Sequence, residues 1–187
     1  MSSELEAHLR KIIRRDTYKK GDVILQLGAV CSQIFYIESG LVWSFHRHNG
    51  EEVSNWFMME NDICIAVLSF FRQAAANEAH IALEDCVCWG ISYAELQEAY
   101  ILFPEFRLHG QNITEEYYCR SEERREDINM KSAQERYEIL MGKYPTLALR
   151  VPNKHLASYL GVKERTFNDM RKKYSDKKKP ATRKKKA

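Results

Sequence analysis

The stretch Arg150-Val-Pro-Asn-Lys-His-Leu-Ala-Ser-Tyr-Leu-Gly-Val-Lys-Glu-Arg-Thr-Phe-Asn-Asp-Met-Arg-Lys-Lys-Tyr174 reads as two short helices joined by a tight turn. Pro152 fits the first turn of a helix, where its missing N–H costs nothing. Leu156, Ala157 and Leu160 then fall on one helical face. Gly161 stops that helix, because glycine tolerates the left-handed backbone needed just past a helix end. Val162 follows, and Phe167, Met170 and Tyr174 recur at the helical period. Small Ala157 lets the two helices cross closely. Leu156, Leu160, Val162, Phe167 and Met170 are the expected miniature core.

That packing defines an outward face. With Phe167, Met170 and Tyr174 turned inward at about 100° per residue, Arg165, Asn168, Asp169 and Lys172 point away from the core. The spacing is similar to the DNA-binding helix-turn-helix, whose second helix lies in the major groove. Arg grips guanine with two hydrogen bonds, Asn does the same with adenine, and Asp accepts from cytosine. Lys163, Thr166, Arg171 and Lys173 lie to the sides, where phosphates would be. The alternative is an ordinary helical hairpin with a solvated charged face. On it Arg165 and Asp169 would merely pair, an arrangement worth only a few tenths of a kcal/mol.

A chain of 187 residues suggests one or two domains, and 44% hydrophobic residues can build a real core. No apolar run of about 18 residues is present, so no membrane span is expected. The start, Met-Ser-Ser-Glu-Leu-Glu, lacks the plan of a secretory signal, so the expected location is cytoplasmic. Five cysteines (Cys31, Cys64, Cys86, Cys88 and Cys119) show no repeated spacing. Cys86 and Cys88 share a face if their segment is a strand, which makes a metal geometrically possible. No second pair accompanies them, and buried free thiols are the favoured reading. No cofactor is expected. Ten of the 29 Lys and Arg fall within residues 171–187, against one of the 26 Asp and Glu. The body is therefore acidic and the end strongly basic. Such a block is expected to be disordered, as a nucleic-acid arm or a solubilising tail.

Read in order, Ser3 and Glu6 form a capping-box signal for a short amphipathic helix ending near Arg15. Alternating strands follow: one over Tyr18–Gly28, after a Gly-Asp turn, one over Gln33–Gly40 with a glycine end, and two, Leu41–Arg47 and Glu52–Met59, flanking Asn49-Gly50, the strongest short hairpin signal. Ile81–Leu83 and Cys86–Ile91 add further strands, while residues 61–80 read as irregular or partly helical. Short strands so punctuated indicate a β-sandwich or jelly roll. The helical period returns over Ala94–Tyr100, and Pro104 opens a long charged helix to about Met130. With few apolar positions, that helix is either a solvent-bridging spacer or a dimer seam with polar flanks. Ser132 and Glu135 cap a further helix, which Gly142 and Pro145 end.

The order jelly roll, long helix, helix-turn-helix resembles the cyclic-AMP receptor protein and fumarate–nitrate regulator family of bacterial transcription regulators. Supporting stretches are Lys20-Gly-Asp-Val-Ile-Leu, Phe35-Tyr-Ile-Glu-Ser-Gly-Leu, Ala82-Leu-Glu-Asp, Gly90-Ile-Ser-Tyr-Ala-Glu-Leu and Leu156-Ala-Ser-Tyr-Leu-Gly-Val. The resemblance implies an α+β chain in five parts. These are an N-terminal helix (1–16), a jelly-roll effector-type domain (17–100), a long dimerisation helix (101–131), a DNA-binding helix-turn-helix (132–174) and a basic disordered tail (175–187). It also implies a homodimer on double-stranded DNA, reading two half-sites of a near-palindrome.

The chain departs from the family in its ligand cassette. Where cyclic-AMP-binding members carry Glu for the ribose and Arg-Ser for the phosphate, the aligned residues here are Ala66, Ala76 and Asn77. A buried phosphate without a cation is costly, so cyclic AMP is not the expected ligand. The candidate pocket for an unknown small-molecule effector is Ala66, Ser69, Arg72, Ala76, Asn77 and Glu78. Arg72 is the one cation of the cassette stretch, and a solvated role is the alternative. No N-terminal cysteine cluster for iron–sulphur is present, and His46, His80 and His109 leave haem open. No winged hairpin of the kind many members carry is expected after Tyr174, and the basic tail is expected to take over its phosphate contacts.

Two competing readings remain. His46-x-His48-x3-Glu52 reproduces half of the metal motif of cupin enzymes, although the Asn49-Gly50 turn puts His48 at a hairpin tip. Asp169 and the acidic body suit an interaction or scaffold protein derived from a regulator. The expectation carried forward is a site-specific regulator without enzymatic activity.

Overall fold

The computed structural model describes residues 2–178, and the remaining basic residues of the expected tail, 179–187, lie outside them. The chain divides into two compact units, residues 1–123 and 124–187.

The first unit opens with α1 (Ser3–Ile12), which Ser2 rather than Ser3 caps, its hydroxyl accepting from the Leu5 amide. The helix is shorter than its apolar pattern suggests. Ile13 is already extended, and β1 (Arg14–Tyr18) pairs antiparallel with β8 (Cys86–Ser92), so the expected helix over residues 1–16 is corrected. Charges on an edge strand hide its period, because one face meets water. Between them come β2 (Val23–Leu25), β3 (Gln33–Ser39), β4 (Val42–His48), β5 (Glu51–Met58), β6 (Ile63–Cys64), α2 (Val67–Arg72) and β7 (Glu78–Ala82). Two four-stranded antiparallel sheets result, β1-β8-β3-β6 and β2-β7-β4-β5. Asn49 and Gly50 both take positive φ, 52° and 82°, which closes the β4–β5 hairpin with the twist its strands need.

Phe35, Ile37, Val42, Met58, Cys64, Ala82, Cys86 and Cys88 form a core cluster of this unit. Cys86 and Cys88 are both buried, as alternation along β8 requires, and four of the five cysteines are buried free thiols. Burial pushes the Cys88 thiol up to about 12 and Cys64 well up too, so both stay protonated and unreactive. Cys119 is exposed. Residues 61–80 are more regular than expected, since they contain β6, α2 and most of β7.

α3 (Tyr93–Leu102) starts on a capping box of Ser92 and Glu95, and α4 (Pro104–Met130) follows. No residue of α4 is buried. Its first part is nonetheless tied down. The Tyr117 hydroxyl accepts from the Ile63 amide at 2.6 Å and donates to Asp62 at 3.1 Å, while Arg120 donates to the same carboxylate at 2.9 Å.

The second unit begins within α4 and continues through α5 (Ala133–Lys143), α6 (Leu147–Arg150), α7 (Asn153–Tyr159) and α8 (Glu164–Lys178). Ser132 and Glu135 make the expected capping box at α5. α6 was not legible in the sequence, for four residues are too few to show a period. α8 continues four residues beyond Tyr174, so the basic run does not leave the helix there.

Two candidate sites

In the second unit, Leu156 and Ala157 of α7 and Leu160 just past its end meet Phe167 and Met170 of α8, all buried. Val162 in the turn is half-buried. Tyr137 of α5 completes the seam, its ring edge-on to both Phe167 and Tyr174. Gly161 makes the turn with φ of 66°, a backbone that side chains resist. Buried seam residues on one side leave Lys163, Arg165, Thr166, Asn168, Asp169, Arg171, Lys172 and Lys173 exposed on the other. Asn168 and Arg171 are not independent. Arg171 donates to the Asn153 side-chain oxygen at 3.1 Å, and the Asn153 amide donates to Asn168 at 2.9 Å. Nothing in the sequence pattern marked Asn153 as their partner. Among the described residues, no ion pair joins Arg165 to Asp169.

Two arginines fix the base of this unit. Arg136 donates to the carbonyls of Lys131 at 2.8 Å and Ile128 at 3.2 Å, at the end of α4, and to Leu160 at 2.9 Å, at the end of α7. Arg124 stacks 3.5 Å from the Tyr159 ring and donates to the Tyr159 carbonyl at 3.2 Å. Both guanidiniums therefore sit where unpaired carbonyls and the negative end of a helix concentrate.

In the first unit, the cassette around α2 is closed by its own backbone. Gly28 donates to the Ala76 carbonyl and Ala76 donates to that of Ala29, each at 2.8 Å. The Ser69 hydroxyl accepts from the Cys31 amide at 2.8 Å and donates to the Ala74 carbonyl at 2.5 Å. The amides of Phe70, Ala74 and Ala76, which an anion would need, are already engaged. Ala66, Ser69, Ala76 and Glu78 are buried, whereas Arg72 and Asn77 are exposed. The Asn77 carbonyl faces the His46 ring at 2.9 Å, and His48 is exposed at the hairpin tip. His46, His48 and Glu52 therefore do not converge, and among the described residues no three potential ligands assemble as a metal site.

What the cassette does hold is a buried carboxylate. Glu78 accepts from the Ser44 hydroxyl and from the Asn55 amide, the latter at 2.8 Å. His80 stands 3.6 Å from the same oxygen and 3.5 Å from the Cys64 sulfur. Burial raises the Glu78 pKa, but His80, Ser44 and Asn55 outweigh it and hold the group ionised, at about 2. Asn55 reaches inward because the β4–β5 register shifts there, leaving it as the extra residue of a β-bulge. Beside His80, Cys31 and Cys64 lies a cavity of about 100 Å³, room for about three water molecules.

The comparisons agree with this architecture. Residues 15–101 match the model of the cyclic nucleotide-binding domain. FixK2 from Bradyrhizobium japonicum superposes with a TM-score of 0.78 at 15% identity, over 89% of this chain and 86% of its own. The c-di-GMP responsive global regulator CLP of Xanthomonas campestris gives 0.70 at 14%, over 94% and 93%. The catabolite activator protein of Thermus thermophilus gives 0.58 at 16%, over 95% and 85%. No curated protein sequence matches the chain. Residues 15–101 are thus similar to the cyclic nucleotide-binding domain, in a chain whose fold is that of these solved regulators.

Proposed function

We propose that this chain is a homodimeric, sequence-specific DNA-binding regulator, in which α7, the Gly161 turn and α8 form a helix-turn-helix. The observation that carries the reading is the division of α8: Phe167 and Met170 buried against α7, Arg165, Thr166, Asp169 and Lys172 outward. That is the division a recognition helix requires, with base-reading groups free and the scaffold packed. Lys163 and Lys173 flank the face and suit phosphates. Asn153 restrains Asn168 and Arg171, so Arg165 is the main base-reading candidate. The described part of the basic run lengthens α8 to Lys178. α4, with no buried residue, is the proposed dimer seam.

The jelly roll is proposed not to take a cyclic nucleotide. No cationic side chain stands at the aligned Ala76, the cassette amides are engaged, and an ionised Glu78 lies inside. A phosphate there would meet a buried anion and no counter-charge.

Asp169 on the outward face favours a second reading, an interaction protein with a DNA-binding end that no longer reads sequence. One experiment separates the two. The chain is incubated with fragmented genomic DNA from its own source near physiological salt, and the retained fragments are sequenced. A few fragments sharing a near-palindrome are the expected result. Uniform recovery would reject the regulator and leave the second reading.

A further inference from the structure

A larger cavity lies in the first unit, outside the β sandwich. Along β3 the inward residues are Phe35 and Ile37, and along β8 Cys86 and Cys88. Alternation therefore turns Ile34, Tyr36, Trp89 and Ile91 to the opposite face of that sheet. α3 and the first part of α4 stand over this face, and together they enclose about 350 Å³. The walls include Ile63 of β6, Ile65 just after it, Val67 and Phe71 of α2, and Ile113 and Tyr117 of α4. Val67, Phe71 and Ile113 are each about half exposed (50%, 49% and 47%), so they mark the mouth.

Apart from the Tyr100 and Tyr118 hydroxyls, the main polar groups around this space are engaged with the protein itself. The Tyr36 hydroxyl donates to Asn61 at 2.7 Å, and the Trp89 indole donates to Glu38 at 2.5 Å. Tyr117 is committed to Asp62 and Ile63, and Thr114 donates to the Gly110 carbonyl at 2.9 Å. An occupant would find largely hydrocarbon walls, with the Tyr100 and Tyr118 hydroxyls as neutral polar groups and no charged side chain among the described residues of the lining. A charged ligand would lose its hydration here and gain little in return. An apolar one would gain the burial of the part of its surface that lies inside the mouth. Pockets of 300 Å³ and above are of the size that small ligands use. At protein packing density this one accepts roughly fifteen non-hydrogen atoms.

We propose that this cavity is a binding site for an uncharged apolar small molecule, of acyl-chain or aromatic-ring type. The site is distinct from the cassette interior, which holds the buried, ionised Glu78 carboxylate. Its occupant would touch α2 on one side and α4 on the other, joining the cassette helix to the long helix. The inference concerns residues 1–123 alone and goes beyond the DNA-binding reading, on which it does not depend.

The test titrates the full chain with N-phenyl-1-naphthylamine, a neutral apolar fluorophore that brightens when buried. Saturable enhancement at one site per chain is expected, independent of protein concentration. Competition with 1-dodecanol and with biphenyl assigns the acyl or aromatic type, and displacement by either supports the site. Two variants fill the space from different walls, Ile113→Trp on α4 and Val67→Trp on α2. Each is expected to weaken the probe by about tenfold or more while far-ultraviolet circular dichroism stays unchanged. Non-saturable enhancement, or full-strength binding to both filled variants, overturns the proposal. Binding that strengthens as the protein is diluted also overturns it, since a second copy would then be the occupant.

Discussion

The interior of the jelly roll and the seam between α7 and α8 solve burial in opposite ways. The seam is apolar inward and charged outward: Leu156, Leu160, Phe167 and Met170 are hidden while Arg165 and Lys172 face water. The jelly roll instead hides Ser44, Glu78 and His80 among its apolar residues. In the seam the buried residues follow the helical period, and the charged groups are what the period leaves outside. In the jelly roll the Glu78 carboxylate is held by Ser44 and Asn55 from two other strands, and this chemistry is placed by pairing rather than by period. The seam's stability therefore rests on side-chain volume, and that of the interior network on charge and proton count.

Volume is the sharper lever on the seam. Phe167→Ala removes a fully buried ring packed on Tyr137, and a loss of about 3–5 kcal/mol is expected in chemical denaturation. A loss under about 1 kcal/mol would show that this seam does not hold the second unit. The jelly roll should respond to pH instead. The Glu78 pKa of about 2 lies below its ordinary 4.5, so the folded state binds this proton less readily than the unfolded chain. Its contribution, up to about 3 kcal/mol, is full above pH 4.5 and is lost as pH falls toward 2. Glu78→Gln should flatten that acid limb of the stability profile, whereas Phe167→Ala should leave it in place.

Arg136 tests whether the second unit also depends on a polar device. Arg136→Met keeps the stem but strands three carbonyls, and about 2 kcal/mol of stability should go. Equal stability would reduce the guanidinium to decoration. The smallest expected effect lies at the flank of α8. Lys163→Ala should weaken DNA binding uniformly across sequences and lower the logarithmic salt slope by about one. A change of preferred sequence would move Lys163 from the phosphates to the bases.

The same contrast explains what could be read from the sequence. Asn49-Gly50, Pro104, the Ser132–Glu135 box and the Leu156–Met170 spacing are local signals, and each stands where it was expected. β1 was hidden because Arg14, Arg15 and Asp16 are charges on an edge strand, which break no helical pattern. β7 was cut short because Glu78 and His80 look like loop residues until their partners are known. Their partners follow from the sheet register: Ser44 opposite His80, and Asn55 turned inward by a bulge. No window of sequence contains that register. The link from Asn153 to Asn168 and Arg171 spans a helix–helix contact and was equally invisible. The apolar cavity was missed for the same reason, since Ile34, Ile63, Trp89 and Ile113 come together only through the sheet and α4.

The central claim is that α8 reads DNA through the face its packing leaves free. The direct test is an anisotropy titration on a fragment recovered from the genomic selection, comparing the native chain with Arg165→Ala and with the Arg165→Ala/Lys172→Ala pair. A loss of about 1–3 kcal/mol is predicted for Arg165→Ala, with relaxed sequence preference and unchanged stability. The pair should retain only sequence-independent, salt-sensitive binding. Undiminished affinity and preference in both variants would contradict the claim and place recognition elsewhere in the chain.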